Sequence, residues 1–182
     1  CCVKNRVIMH PIKHFITITK HRNLVIKYCF KLGIGFQGLF HDLSKYSFAE
    51  FWVGAKYYTG KFSPNAGERK EKGYSDIWMH HKGRNKHHYE YWFDFSNVEK
   101  KYVPIKIPIQ YVKEMICDRI AASKVYLKDQ YTKSSALEYF NRTYDRHEMH
   151  PETSALLKSW LELVSEKGEN EAIKIIKKVK NY

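Results

Sequence analysis

Two stretches concentrate side chains able to do chemistry: the adjacent pair His41-Asp42, and HHKGRNKHH at residues 80–88. A neighbouring His and Asp offer one neutral nitrogen and one anionic oxygen, a mix suited to divalent Mn, Fe, Co, Ni or Zn. By itself the dipeptide is weak, because such pairs arise by chance in many proteins. The four histidines of 80–88 read as a metal site, as a solvated basic face, or as half of a site completed elsewhere. With ten histidines in 182 residues some clustering is expected. On one unbroken helix His81 and His88 would stand about 10.5 Å apart along the axis, too far to converge on one ion. A break at Gly83 and Asn85, residues that tolerate unusual backbone conformations, would fold His87 and His88 back toward His81.

Among the elements that must carry these residues, Phe15 to Leu32 shows helix period, with apolar Ile18, Val25, Ile26, Cys29 and Phe30 and with Gly33 as a C-cap. His21 lies near the middle of that helix, within reach of Leu24 and Val25; a lone histidine there is more often a satisfied core residue than a ligand. GIGFQGLF is a glycine-punctuated connection into HDLSK, and Ser47-Phe48-Ala49-Glu50 has the form of a capping box opening a helix toward Tyr58. Glu50 therefore reads as a cap. Residues 61–75, KFSPNAGERKEKGYS, read as loop, and Ile77-Trp78 resume an apolar pattern ahead of the histidines. Pro104 and Pro108 exclude a helix interior, after which Ile109 to Tyr126 returns to helix period. Asp118 falls on that helix among Tyr111, Met115 and Ala122. Burying an unpaired carboxylate costs on the order of several kcal/mol, so Asp118 needs either a basic partner or a metal.

Ser134–Tyr144, 151–165 and 169–179 complete a set of six or seven helices, with Pro151 suited to a first turn and no stretch alternating convincingly as a strand. The expected fold is an all-α, single-domain bundle over 1–182, its core spanning about 10–165 and a basic helix closing the chain at 169–180. Hydrophobic content of 43% with 15% aromatics opposes disorder, and no apolar run approaches the roughly 18 residues of a bilayer span. Cys1, Cys2, Cys29 and Cys117 lack a C-x-x-C spacing; no disulfide framework is expected, and the two helical thiols should act as small buried hydrophobes. No secretory signal is visible, a cytoplasmic location is expected, and a start at Cys1 rather than Met implies a true N-terminus upstream. The net charge of +13 favours anionic partners, although a solvated basic surface explains much of it.

The order His21, His41-Asp42, the 80–88 histidines, then Asp118 resembles the H...HD...H...HH...D pattern of the HD-domain superfamily, metal-dependent phosphohydrolases with a helical core. T-x-H at 19–21, HDLSK at 41–45, W-x-x-H-x-x-x-N-x-HH-x-x-x-W from Trp78 to Trp92, and HPET at 150–153 look like an uncharacterised bacterial and phage family in or near that superfamily. The resemblance implies that His21, His41, Asp42 and Asp118 hold one divalent metal ion. It also places His81, His87 and His88 at the positions that bind a second ion in the larger centres; His80 has no counterpart. The short separation between these histidines departs from the cyclic-dinucleotide branch, which leaves phosphate binding open as their other role.

In this reading Asp42 and Lys45 are the catalytic residues. Lys45, three residues after Asp42, projects toward the same pocket to neutralise a substrate phosphate; Arg84, Lys86 and His150 are further substrate-binding candidates, each with a plain surface or structural alternative. The expected activity is hydrolysis of a nucleotide or other small phosphorylated compound by a metal-activated water. Two alternatives stand beside it: an HD-like di-iron oxygenase, and a non-catalytic nucleotide- or nucleic-acid-binding protein using the positive charge and fourteen tyrosines. No membrane partner is expected.

Overall fold

The computed structural model describes residues 9–146 and 148–182. The expectations attached to Cys1 and Cys2 lie outside the described residues. The fold is all-α apart from one short hairpin. In chain order the helices are α1 (Pro11–Leu32), α2 (Gly35–Leu39), α3 (Phe48–Lys56), α4 (Pro64–Lys72), α5 (Asp76–Lys82), α6 (Ile109–Leu127), α7 (Ser135–Arg142), α8 (Pro151–Lys167) and α9 (Glu169–Lys178).

Pro11 opens α1, where its missing N–H costs nothing, and Gly33 closes it at φ +80°. Its buried stripe runs His14, Ile18, His21, Val25, Cys29, Leu32, in steps of three or four. Two histidines thus occupy positions that hydrophobes would ordinarily fill. α1 packs most extensively against α6, which is buried nearly all round through Val112, Met115, Ile116, Ile120, Ala121 and Val125. Phe140 of α7, Leu157, Trp160 and Leu161 of α8, and Ile173 and Ile176 of α9 complete one shared core. Cys29 and Cys117 are buried free thiols within it, as expected.

Three elements differ from the sequence expectation. Residues 61–75 are not all loop: Pro64 starts α4, and Glu68, fully buried, holds it by accepting from Ser75 Oγ at 2.7 Å, Ile77 N at 3.2 Å and Lys72 Nζ at 2.9 Å. A tertiary anchor on a polar segment leaves no hydrophobic period to read. The glycine-rich connection contains α2, laid so close on α1 that a Cβ at Gly38 would stand 2.5 Å from Cys29 Cβ. These two additions take the count past the six or seven expected.

The third difference is an antiparallel hairpin, β1 (Phe93–Ser96) with β2 (Lys101–Pro104), in register Phe93 to Pro104 and Ser96 to Lys101. Its turn is held by Lys100 N donating to Ser96 O at 2.8 Å, with Lys100 at φ +54°. Four-residue strands are too short for alternation to stand out. Among the described residues no helix is long and apolar enough to cross a membrane.

Candidate metal centre

The chain enters the centre through a strained turn. After α2, His41 N donates to Gly38 O at 3.1 Å, and Asp42 adopts the left-handed region at φ +55°, ψ +22°. Asp is among the few non-glycine residues that visit this region readily. The turn lets two consecutive side chains, His41 and Asp42, both be buried to 1% exposure. Arg22 of α1 braces it from outside, donating from Nε to His41 O at 3.2 Å and from its terminal nitrogen to Leu39 O.

The two oxygens of Asp42 face different partners. Oδ2 looks toward His21 Nε2 at 3.5 Å and His41 Nε2 at 3.3 Å; His21 Nε2 in turn lies 3.0 Å from Asp118 Oδ1 and 3.4 Å from His41 Nε2. Oδ1 looks toward His81 Nε2 at 3.2 Å and His87 Nε2 at 3.6 Å. His88 completes the second group, its ring 4.1 Å from that of His87 and 4.8 Å from that of His81. Ligand atoms of His21, His41, Asp42 and Asp118 lie within 4.8 Å of one another, as do those of Asp42, His81, His87 and His88.

These spacings suit metal ligation. Two ligand atoms each about 2.0–2.2 Å from one ion, and about 90–109° apart at it, stand about 2.8–3.6 Å from each other. The donor chemistry agrees, mixing imidazole and carboxylate as borderline divalent ions prefer. Buried polar atoms ordinarily find hydrogen bonds, yet Asp42 Oδ1 and the Nε2 atoms of His81, His87 and His88 are buried with none, while Asp42 Oδ2 has the Lys45 ammonium beside it. The Nδ1 atoms of His81 and His87 are engaged by carboxylates, and it is their Nε2 atoms that converge with Asp42 Oδ1. These buried His and Asp groups can hold a metal ion.

The ring orientations are fixed from behind. His41 Nδ1–H donates to Glu114 Oε1 at 2.8 Å, and His87 Nδ1 lies 3.1 Å from the same oxygen. His81 Nδ1–H donates to Glu50 Oε2 at 2.9 Å, while His80 Nδ1 meets Glu50 Oε1 at 2.6 Å. Such carboxylate backing sets the tautomer that presents Nε2 to an ion. The charges respond accordingly. Burial would raise Glu114, but the hydrogen bonds from His41 and His87 hold it down at about 2. Burial likewise opposes the charge on Asp42 and Asp118, and their histidine neighbours, with Lys45 at Asp42, keep both well below the usual carboxylate range. Burial, reinforced by His87 and His81, pushes His88 well below its ordinary value, leaving it neutral and able to donate a lone pair.

The break in the 80–88 stretch occurs, but by a different device from the one expected. α5 ends at Lys82, and neither Gly83, at φ −72°, nor Asn85 adopts a positive φ. Asn85 is buried and its side-chain amide donates to His81 O at 2.8 Å and to Ser44 Oγ at 2.9 Å, capping the helix and turning the chain back. His80 stays outside the ligand set, held by Glu50.

Lys45 reaches the cluster: its Nζ stands 2.5 Å from Asp42 Oδ2, with about a third of the side chain exposed, and the neighbouring carboxylates Asp42 and Asp118 outweigh burial to raise its pKa. Arg84, Lys86 and His150 do not join. Arg84 is exposed and donates to His80 O in the last turn of the preceding helix α5, 3.1 Å away; Lys86 Nζ lies over the rings of Tyr91 and Tyr111 at 5.7 and 5.8 Å. His150 precedes α8, its carbonyl accepting from Ser154 N at 2.9 Å, and it is not among the clustered ligand atoms. Glu50, read as a cap, does donate its backbone N–H to Ser47 Oγ at 3.4 Å, but its carboxylate serves the histidines. The sequence analysis does not name Glu114; its one signal is its place four residues before Asp118, on the same face of α6.

No curated protein and no solved structure matches the chain. The model of the family of unknown function DUF5662 matches residues 10–163, a span that includes every clustered ligand, and the chain therefore belongs to that family.

Proposed function

We propose that the protein is a metal-dependent phosphohydrolase acting on a nucleotide or another small phosphorylated compound, with one or two divalent ions held by the His/Asp cluster. The observation that carries this reading is Asp42: a buried carboxylate whose two oxygens each face a separate histidine set, with Lys45 paired to one of them. The resemblance of the ordered ligands to HD-type phosphohydrolases supports the reaction class. An ion bound there would lower the pKa of a bound water toward neutrality and polarise a phosphoryl oxygen.

The chain's own residues supply the rest. Asp42 joins the two ligand groups and fixes their separation. Lys45, one-third exposed at the rim, presents a permanent positive charge to a phosphate oxygen at the same edge where Asp118 is 20% exposed. The net charge of +13 favours the approach of an anion.

The test is elemental analysis of the purified protein, followed by assay of phosphomonoesters, phosphodiesters and nucleoside triphosphates with Mn, Fe, Co, Ni and Zn. Bound metal together with phosphate release that falls at least about 100-fold in Asp42→Asn is the expected result. Iron with oxygen consumption and no phosphate release would replace the reading by an oxygenase. Salt-dependent nucleic-acid binding that survives both Asp42→Asn and Asp118→Asn, without metal, would replace it by a binding module.

A further inference from the structure

Glu114, His41, Asp42 and His87 form a closed ring of side chains. Each imidazole is a spacer between the two carboxylates: His41 spans from Glu114 Oε1 (2.8 Å at Nδ1) to Asp42 Oδ2 (3.3 Å at Nε2), and His87 from the same Glu114 oxygen (3.1 Å at Nδ1) to Asp42 Oδ1 (3.6 Å at Nε2). The two rings lie 4.4 Å apart, tilted 36°. Glu114 is 5% exposed, and its second oxygen accepts from Gln37 Nε2 of α2, so both oxygens are taken by N–H donors. With three N–H groups on its two oxygens the carboxylate is engaged as a hydrogen-bond acceptor behind the rings, although His41, His87 and Glu114 lie close enough together to be taken for a third ligand group. Glu50 differs in kind: it backs His81 and, outside the ligand set, His80.

We propose that Glu114 is a positioning residue common to both halves of the centre, fixing one histidine of each, whereas Glu50 positions only the half that contains His81. The inference rests on the metal reading above. Its content is an asymmetry between two buried carboxylates that composition alone would treat as equivalent. Loss of Glu114 releases a ligand ring on each side of Asp42; loss of Glu50 releases one ring on one side.

The experiment is calorimetric titration of chelator-treated protein with Zn2+ alone, in competition with a chelator of known affinity, for wild type, Glu114→Gln and Glu50→Gln. Two ions are expected for wild type. Glu114→Gln should weaken both by about 10–100-fold, and Glu50→Gln should weaken one by a similar factor and leave the other unchanged. Wild type that binds no zinc overturns the metal reading and this inference with it. Two-site binding that Glu114→Gln leaves intact, or weakens at one site only, overturns this inference alone.

A second measurement needs no variant to fold. In zinc-loaded wild type, long-range proton–nitrogen spectra of the histidine rings should show His41 and His87 protonated at Nδ1. A proton on Nε2 of either ring overturns the assignment.

Discussion

Asp42 does two jobs that ordinary mutagenesis would confuse. Its carboxylate faces both histidine groups, and its backbone sits at φ +55°, where Asn and Asp are tolerated and Ala is strained. Asp42→Asn and Asp42→Ala should both abolish tight metal binding. In the presence of a chelator, however, urea unfolding should find Asp42→Asn more stable than Asp42→Ala by about 1–2 kcal/mol, the cost of forcing Ala into the left-handed region. Equal stabilities would mean that the turn relaxes when the carboxylate is gone. At this scale the sequence was informative where residue type and order coincide: His21, His41, Asp42, His81, His87, His88 and Asp118 were all nameable, and the fold brings them together. The backing roles of Glu114 and Glu50 were not, because a carboxylate behind a ligand leaves at most a weak mark in spacing, as Glu114 does four residues before Asp118, or reads as a cap, as Glu50 does. Their meaning exists only once α6 and α3 are placed behind the rings.

Elements position the ligands through close approaches rather than through long apolar faces. α2 is five residues long and carries His41 at its exit, so its seat on α1 decides where the turn begins. A Cβ at Gly38 would meet Cys29 Cβ at 2.5 Å and Sγ at 3.1 Å, both on a buried helix face. Gly38→Ala should cost about 1–3 kcal/mol by overpacking and should weaken metal binding by shifting His41. Gly83→Ala is the contrasting substitution: at φ −72° its nearest neighbour would be Met79 O at 3.5 Å, an ordinary contact. It should leave both stability and metal binding unchanged, since Asn85 makes the break; a loss comparable to that of Gly38→Ala would show that the turn depends on glycine after all. Periodicity in the sequence announced α1 and α6 because their faces are apolar. It passed over α4, whose hold on the fold is the buried carboxylate of Glu68, and over α2 and the hairpin, which are shorter than a reliable period.

In the whole molecule the candidate metal centre lies between α1, α6 and the α5 turn, so an ion there would add a tie between elements already joined by packing and by contacts such as His21 to Asp118 and His87 to Glu114. Any ion that binds the folded chain and not the unfolded one raises stability by mass action, about 2.7 kcal/mol at a free concentration 100 times the dissociation constant. For a chain of this length, about 2–4 °C per kcal/mol, that predicts a rise in Tm of about 5–11 °C when the preferred ion is added to chelator-treated protein. A scan that shows no rise with Mn, Fe, Co, Ni or Zn would argue that the cluster binds none of them tightly. The ligands also differ in how far apart they stand along the chain. His21, His41, Asp42 and Asp118 meet only after α1 and α6 have docked, whereas His80, His81, His87 and His88 fall within nine consecutive residues before any folding has occurred. The unfolded chain therefore keeps a short run of histidines able to chelate, and metal bound there would subtract from the stabilisation just described. If the cluster is a metal centre, folding first and loading second should yield more assembled protein than the reverse order.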